Sequence, residues 1–144
     1  MYEMRGCLMS SPEQIIKEFG FYSAPVHGMS MYPLLKNHRD SVYIEPPEHL
    51  KKYDVVLFRR KNGQLVLHRI VSIEKSCFLV CGDNEFFKET IQKEQIIGKM
   101  TEFCRNNKNG KTAGLKFKIY SHCWCSSFFI RKILLYIYTK FDRE

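Results

Sequence analysis

The sequence predicts a mainly β domain with a short N-terminal helix and a basic, apolar C-terminal helix. Three observations lead there. The middle of the chain holds short runs of β-branched and aromatic residues, of which Val55-Val56-Leu57-Phe58 is the strongest. Asn62-Gly63 separates two such runs and is a strong hairpin signal. Helical spacing occurs only near the ends, in Ile15, Ile16 and Phe19 and again in Phe128, Phe129, Ile130, Ile133, Leu134, Ile137 and Tyr138. A length of 144 residues suits one domain with its own core. Hydrophobic residues at 44% against 26% charged residues exclude a disordered chain.

Each element has a local reason. Ser10 or Ser11 can cap the first helix, Pro12 suits its first turn, and Glu13 complements the helix dipole. Gly20 stops it. Residues 21–33 contain Pro25, Gly28 and Pro33 and read as an irregular connection. Ser41-Val42-Tyr43-Ile44-Glu45 reads as a short strand, ended by Pro46-Pro47. The strand from Tyr53 to Phe58 turns at Asn62-Gly63 and returns through Gln64-Leu65-Val66-Leu67-His68-Arg69-Ile70-Val71. Cys77-Phe78-Leu79-Val80-Cys81 forms another strand, broken by the tight turn Gly82-Asp83-Asn84. Ile96-Ile97-Gly98-Lys99-Met100 is a weaker strand, and residues 106–114 read as a polar linker. The chain thus divides into residues 1–104, the β domain with its helix, and 105–144, a basic linker and amphipathic segment.

Charge follows the same division. The net charge is +8, yet residues 1–104 hold fourteen Lys/Arg against thirteen Asp/Glu, and residues 105–144 hold nine against two. A basic, apolar tail suits an anionic membrane surface, with nucleic acid a weaker expectation. Arg131 and Lys132 interrupt the apolar run, so a peripheral or docked helix is expected rather than a membrane-spanning one. Residues 1–20 have no apolar stretch of the signal-peptide kind. The expected location is therefore the cytoplasm or the inner membrane surface. The six cysteines include no CxxC pair. In His122-Cys123-Trp124-Cys125, neighbours on a strand would point to opposite faces. No metal or cofactor is expected, and the thiols should be reduced.

Two polar residues sit oddly in this framework. Ser30 lies in a loop rich in Gly, Met and Pro. His68 lies in an apolar strand, where alternation puts it on one face with Val66 and Ile70. An imidazole there loses hydration and stays neutral, as a general base must be. From the strand alone, a core histidine satisfied by hydrogen bonds is the favoured reading.

Four segments in order carry a resemblance. Gly28-Met29-Ser30-Met31-Tyr32-Pro33 resembles the GxSMxP box of the signal peptidase superfamily. Tyr53-Asp54-Val55-Val56-Leu57-Phe58 resembles its GDVVxF strand, with Tyr53 where glycine is usual. Leu67-His68-Arg69-Ile70-Val71 resembles the HRI strand of the archaeal, endoplasmic-reticulum and sporulation-type branch, and Gly82-Asp83-Asn84 its GDN box. The match spans residues 26–99, about half of the chain. More distantly, it extends to LexA-like self-cleaving proteins.

The resemblance implies coiled β-sheets of the LexA and signal peptidase type and a serine endopeptidase acting on a leader or signal-like peptide. It gives Ser30 as nucleophile and His68 as general base, where many bacterial relatives have lysine. Arg69 cannot be that base, because a guanidinium stays protonated. The Ser30 N–H would help stabilise the oxyanion, and Gly28 would let the backbone approach the substrate. Some relatives carry a serine at the Gly28 position, so that donor is missing or replaced here. Met29 and Met31 would line a groove for small apolar side chains, or simply pack the core. Asp83 or Glu89 would orient His68. The structural alternatives are a turn-stabilising role for Asp83 and a solvated surface charge for Glu89. The substrate would lie extended along a sheet edge.

The chain also departs from the family. Within the 29 residues before Ser30, no apolar stretch is long enough for an anchor, and no Ala-Gly or Cys-Gly dipeptide occurs. Neither an anchor nor an upstream DNA-binding domain is therefore expected. A compact peptidase is the expectation. The competing expectation is a catalytically silent relative that binds a membrane surface or nucleic acid through its basic tail.

Overall fold

The computed structural model describes residues 10–142. The first helix, α1, spans Pro12–Phe19. Ser11 caps it by accepting from the Gln14 N–H, and the Gln14 side chain accepts from the Ser11 N–H. Gly20 closes it at φ +83°, a left-handed position that glycine takes without strain. Only Ile16 of the apolar stripe is buried; Phe19 remains 64% exposed. A two-pronged ion pair, Arg59 to Glu13 at 2.8 and 2.9 Å, ties α1 to the sheet.

Eight strands form one antiparallel sheet: β1 (Tyr22–Pro25), β2 (Ser41–Glu45), β3 (Val55–Arg59), β4 (Leu65–Ile73), β5 (Phe78–Cys81), β6 (Glu89–Ile91), β7 (Ile96–Arg105) and β8 (Lys108–Lys111). Their order is β1-β2-β7-β3-β4-β5-β6, with β8 paired to β7. The mainly β expectation is met, and three placements differ from the sequence reading. The irregular stretch after Gly20 contains edge strand β1. The weak strand at Ile96 is the ten-residue β7, which pairs with β2, β3 and β8. The polar linker forms β8, because Asn106 and Asn107 adopt φ +50° and +60° and so close a tight hairpin.

Strand β3 shows why this sheet holds two cores. Val55 and Leu57 pack with Ile16, Leu35 and Met100 on one face. Val56 and Phe58 pack with Val66, Ile70 and Ile91 on the other. A strand covered on both faces must be apolar along its buried length, as Val55 to Phe58 are. Burying Phe58 alone contributes about 1.5–3 kcal/mol.

Two helices follow, α2 (Leu115–Ser126) and α3 (Phe128–Phe141). The His122–Cys125 segment therefore lies on a helix rather than a strand, with Cys123 exposed and Cys125 half-buried. The helices dock through Trp124 and Leu135, which cluster with Tyr32. Among the described residues, no helix is long and apolar enough to cross a membrane.

Candidate active site

The Ser30 loop leaves β1 and bends at Gly28, whose φ of +86° suits glycine. The Gly28 N–H donates to Asn37 Oδ1 at 2.9 Å, so it is not free for a substrate. Among the described residues, the Ser30 N–H makes no hydrogen bond. The Gly82-Asp83-Asn84 turn folds back onto this loop. The Asn84 N–H donates to the Ser30 carbonyl at 2.8 Å, and its side-chain amide donates to the Met29 carbonyl at 3.1 Å. Gly82 is required by close approach: a Cβ there would lie 2.6 Å from the Ser30 carbonyl oxygen.

His68 reaches the same place from β4. Its side chain is 3% exposed, with Nε2 3.5 Å from Glu85 Oε2 and Nδ1 3.9 Å from Glu89 Oε1. Nδ1 is buried and has no hydrogen-bond partner. Burial pulls the imidazole below its ordinary pKa of 6.5; Glu85 and Glu89 oppose that pull, and Arg60 adds to it. Arg60 also holds Glu89 in place, at 2.7 and 3.1 Å, and donates to Gln64 at 2.8 Å.

Ser30 and His68 line one groove of about 400 Å³, together with Gly28, Met29, Met31 and Glu85. Among the described residues, no hydrogen bond joins Ser30 Oγ to the His68 ring. Met29 is 48% exposed at the groove, whereas Met31 is 2% exposed and also packs in the core with Leu35.

Asp83 faces Arg69 rather than a His68 nitrogen. The carboxylates at the His68 nitrogens are Glu85 and Glu89. Asp83 instead pairs with Arg69 Nε and Nη2, both at 2.8 Å, and accepts from the Tyr120 hydroxyl at 2.9 Å. The physical reason is strand alternation: His68 and Arg69 are neighbours and leave β4 on opposite faces. Burial works against the charged form of Arg69, but the facing Asp83 outweighs it and raises the guanidinium pKa. Trp124 donates to the Asp83 carbonyl at 2.9 Å, so α2 braces the turn from behind.

Glu85 and Arg60 escaped the sequence reading. The signal for Glu85 is topological: a turn that bonds to Ser30 must deliver the residue after Asn84 to the same groove. Arg60 stands just before the Asn62-Gly63 turn, where nothing in the sequence shows its partner Glu89.

Among the described residues, no cluster of three or more His, Cys, Asp or Glu side chains could hold a metal ion. Comparison with known protein families finds no matching family, and no curated protein matches the sequence.

Proposed function

We propose that the chain is a serine endopeptidase of the signal peptidase type, cleaving a leader or signal-like peptide with Ser30 as nucleophile and His68 as general base. The observation that carries this reading is a buried imidazole of depressed pKa facing the same groove as a serine. A serine hydroxyl is a weak nucleophile until a base takes its proton. Glu89, 3.9 Å from Nδ1, would hold the proton on that nitrogen and leave Nε2 to act as the base. The 3.9 Å gap to Glu89 and the unmade Ser30–His68 bond fit a site that tightens when substrate enters. The unpartnered Ser30 N–H serves as the oxyanion donor.

In this reading Glu89 orients His68, and Asp83 holds the turn that positions Ser30. The antiparallel sheet is the coiled type of the LexA and signal peptidase folds. Ala24 and Pro25 of edge strand β1 line the groove, so an extended peptide would run beside a sheet edge. A peptide library with small residues before the cut tests the reading. Wild type should cleave a subset, and Ser30→Ala should cleave none; equal cleavage by the two would sink it.

One observation favours a second role. Helix α3 leaves Phe129 and Phe141 both 73% exposed, with Lys132 and Lys140 exposed beside them. This tail would contact an anionic membrane peripherally, placing the enzyme at the inner membrane surface. Anionic liposomes should retain full-length protein and lose it at high salt. In the silent-relative alternative, this binding is the whole function and survives Ser30→Ala.

A further inference from the structure

Among the described residues, Glu85 is the groove carboxylate that makes no ion pair with a Lys or Arg. Arg60 also lines the groove, but Glu89 takes its Nε and Nη2 and Gln64 takes its Nη1. Arg60 acts on Glu85 only through longer-range attraction, and the His68 ring stands 3.5 Å away. Its side chain is 40% exposed, so a ligand can reach it.

The position of Glu85 is fixed rather than incidental. Its N–H donates to the Gly82 carbonyl at 3.0 Å. Its carbonyl accepts from Arg131 Nη1 at 2.8 Å and from the Cys81 thiol at 3.4 Å. Arg131 is itself fully buried and also donates to the Gly82 carbonyl at 3.2 Å. The C-terminal helix thus holds the backbone that aims this carboxylate at His68 Nε2. The nearby walls contributed by Met29, Leu65 and Val66 are apolar.

We infer that Glu85 is a specificity-determining residue that selects a Lys or Arg side chain on the leaving-group side of the scissile bond. The inference rests on the peptidase reading of this groove. It follows from the path of the proton: the base that takes the Ser30 proton must next give it to the leaving amine. The leaving-group residue therefore passes the nitrogen at which Glu85 stands. A cationic side chain there gains an ion pair in a partly dry groove, and a neutral one leaves the carboxylate unpaired. The preferred substrate then has small apolar residues before the cut and a basic residue directly after it.

The test uses full-length protein and two peptides chosen from the library screen, identical except for Lys or norleucine directly after the cut. Wild type should favour the Lys peptide in kcat/KM by about tenfold, the ratio that corresponds to ~1.4 kcal/mol. Glu85→Gln should bring the ratio to about one, and Glu85→Lys should bring it below one, because like charges then face each other. Taking the ratio cancels any common effect of these variants on the His68 base. A wild-type ratio near one, or a Lys preference that survives Glu85→Gln, overturns the inference and leaves the peptidase reading standing. Cleavage of neither peptide above the Ser30→Ala blank overturns both.

Discussion

His68 and Arg69 are adjacent on β4 and about equally buried, at 2% and 0% exposure, yet their surroundings differ in kind. Arg69 has a complete set of partners. Besides Asp83, it donates to the Tyr53 carbonyl at 3.1 Å and to Ser121 Oγ at 2.6 Å, and its guanidinium lies over the rings of Phe117 and Tyr120. His68 has an unpartnered Nδ1 and two carboxylates just beyond hydrogen-bond distance. One face of the strand carries a closed, dry network; the other carries an open one. A buried charge with every nitrogen paired organises structure, whereas a buried titratable group left short of partners is available for chemistry.

The largest way to break this contrast is to spoil the closed side. Asp83→Asn leaves the Arg69 charge buried without its counter-ion, and removing one partner of such a pair costs about 3–5 kcal/mol. Denaturant unfolding should show that loss. A variant as stable as wild type would mean that Asp83 does not hold the fold. Gly82→Ala comes next. Its new Cβ meets the Ser30 carbonyl backbone, so the Ser30 loop must move, and a displacement near 1 Å in an active site can cost ~100-fold in rate. Peptide cleavage should fall by roughly that factor while the protein stays folded, and an unchanged rate would argue that Ser30 is not positioned by this turn.

The smallest effect sharpens the open side. Because the folded His68 pKa lies below its ordinary value, the acid limb of kcat/KM should fall below pH 6.5. The linkage has a definite sign: the unfolded chain binds this proton more readily, so stability is lost as pH drops below 6.5 towards the folded pKa. Glu89→Gln should move the acid limb further down, since Glu89 raises this pKa, and Arg60→Gln should move it up. Shifts in the opposite directions would show that these groups do not act on His68.

The two sides were not equally legible in the sequence. Alternation in β4 and the turn at Asn62-Gly63 were enough to place His68, because both are local signals. The groove was legible in part, since Ser30 and His68 do line one cavity. Asp83 was open to misreading because its partner is the neighbour of the expected one. A single residue of register decides the face, and the resemblance does not carry it. Strand β7 looked weak because Gly98, Lys99 and Thr101 dilute it, but sheet pairing on both sides makes it central. Helix α2 was missed because its Cys, Trp, His and Ser residues have modest helix propensity; tertiary contacts through Phe117, Ser121 and Trp124 hold it. Tyr53 shows the same override in the backbone. It stands where the resembling strand usually has glycine, and its φ is +76°, a conformation that costs a non-glycine residue about 1–2 kcal/mol. Its ring packs edge-on against His122, and its N–H donates to the Ile70 carbonyl at 2.7 Å.

The most direct test of the account is the rate of His68→Ala on a peptide that wild type cleaves. General-base assistance contributes about 10²–10⁴-fold, so kcat/KM should fall by that range, mostly in kcat, with Ser30→Ala at the blank. Cleavage by His68→Ala at the wild-type rate would contradict the pairing of Ser30 with His68, and with it the assignment of the open face of β4 to catalysis.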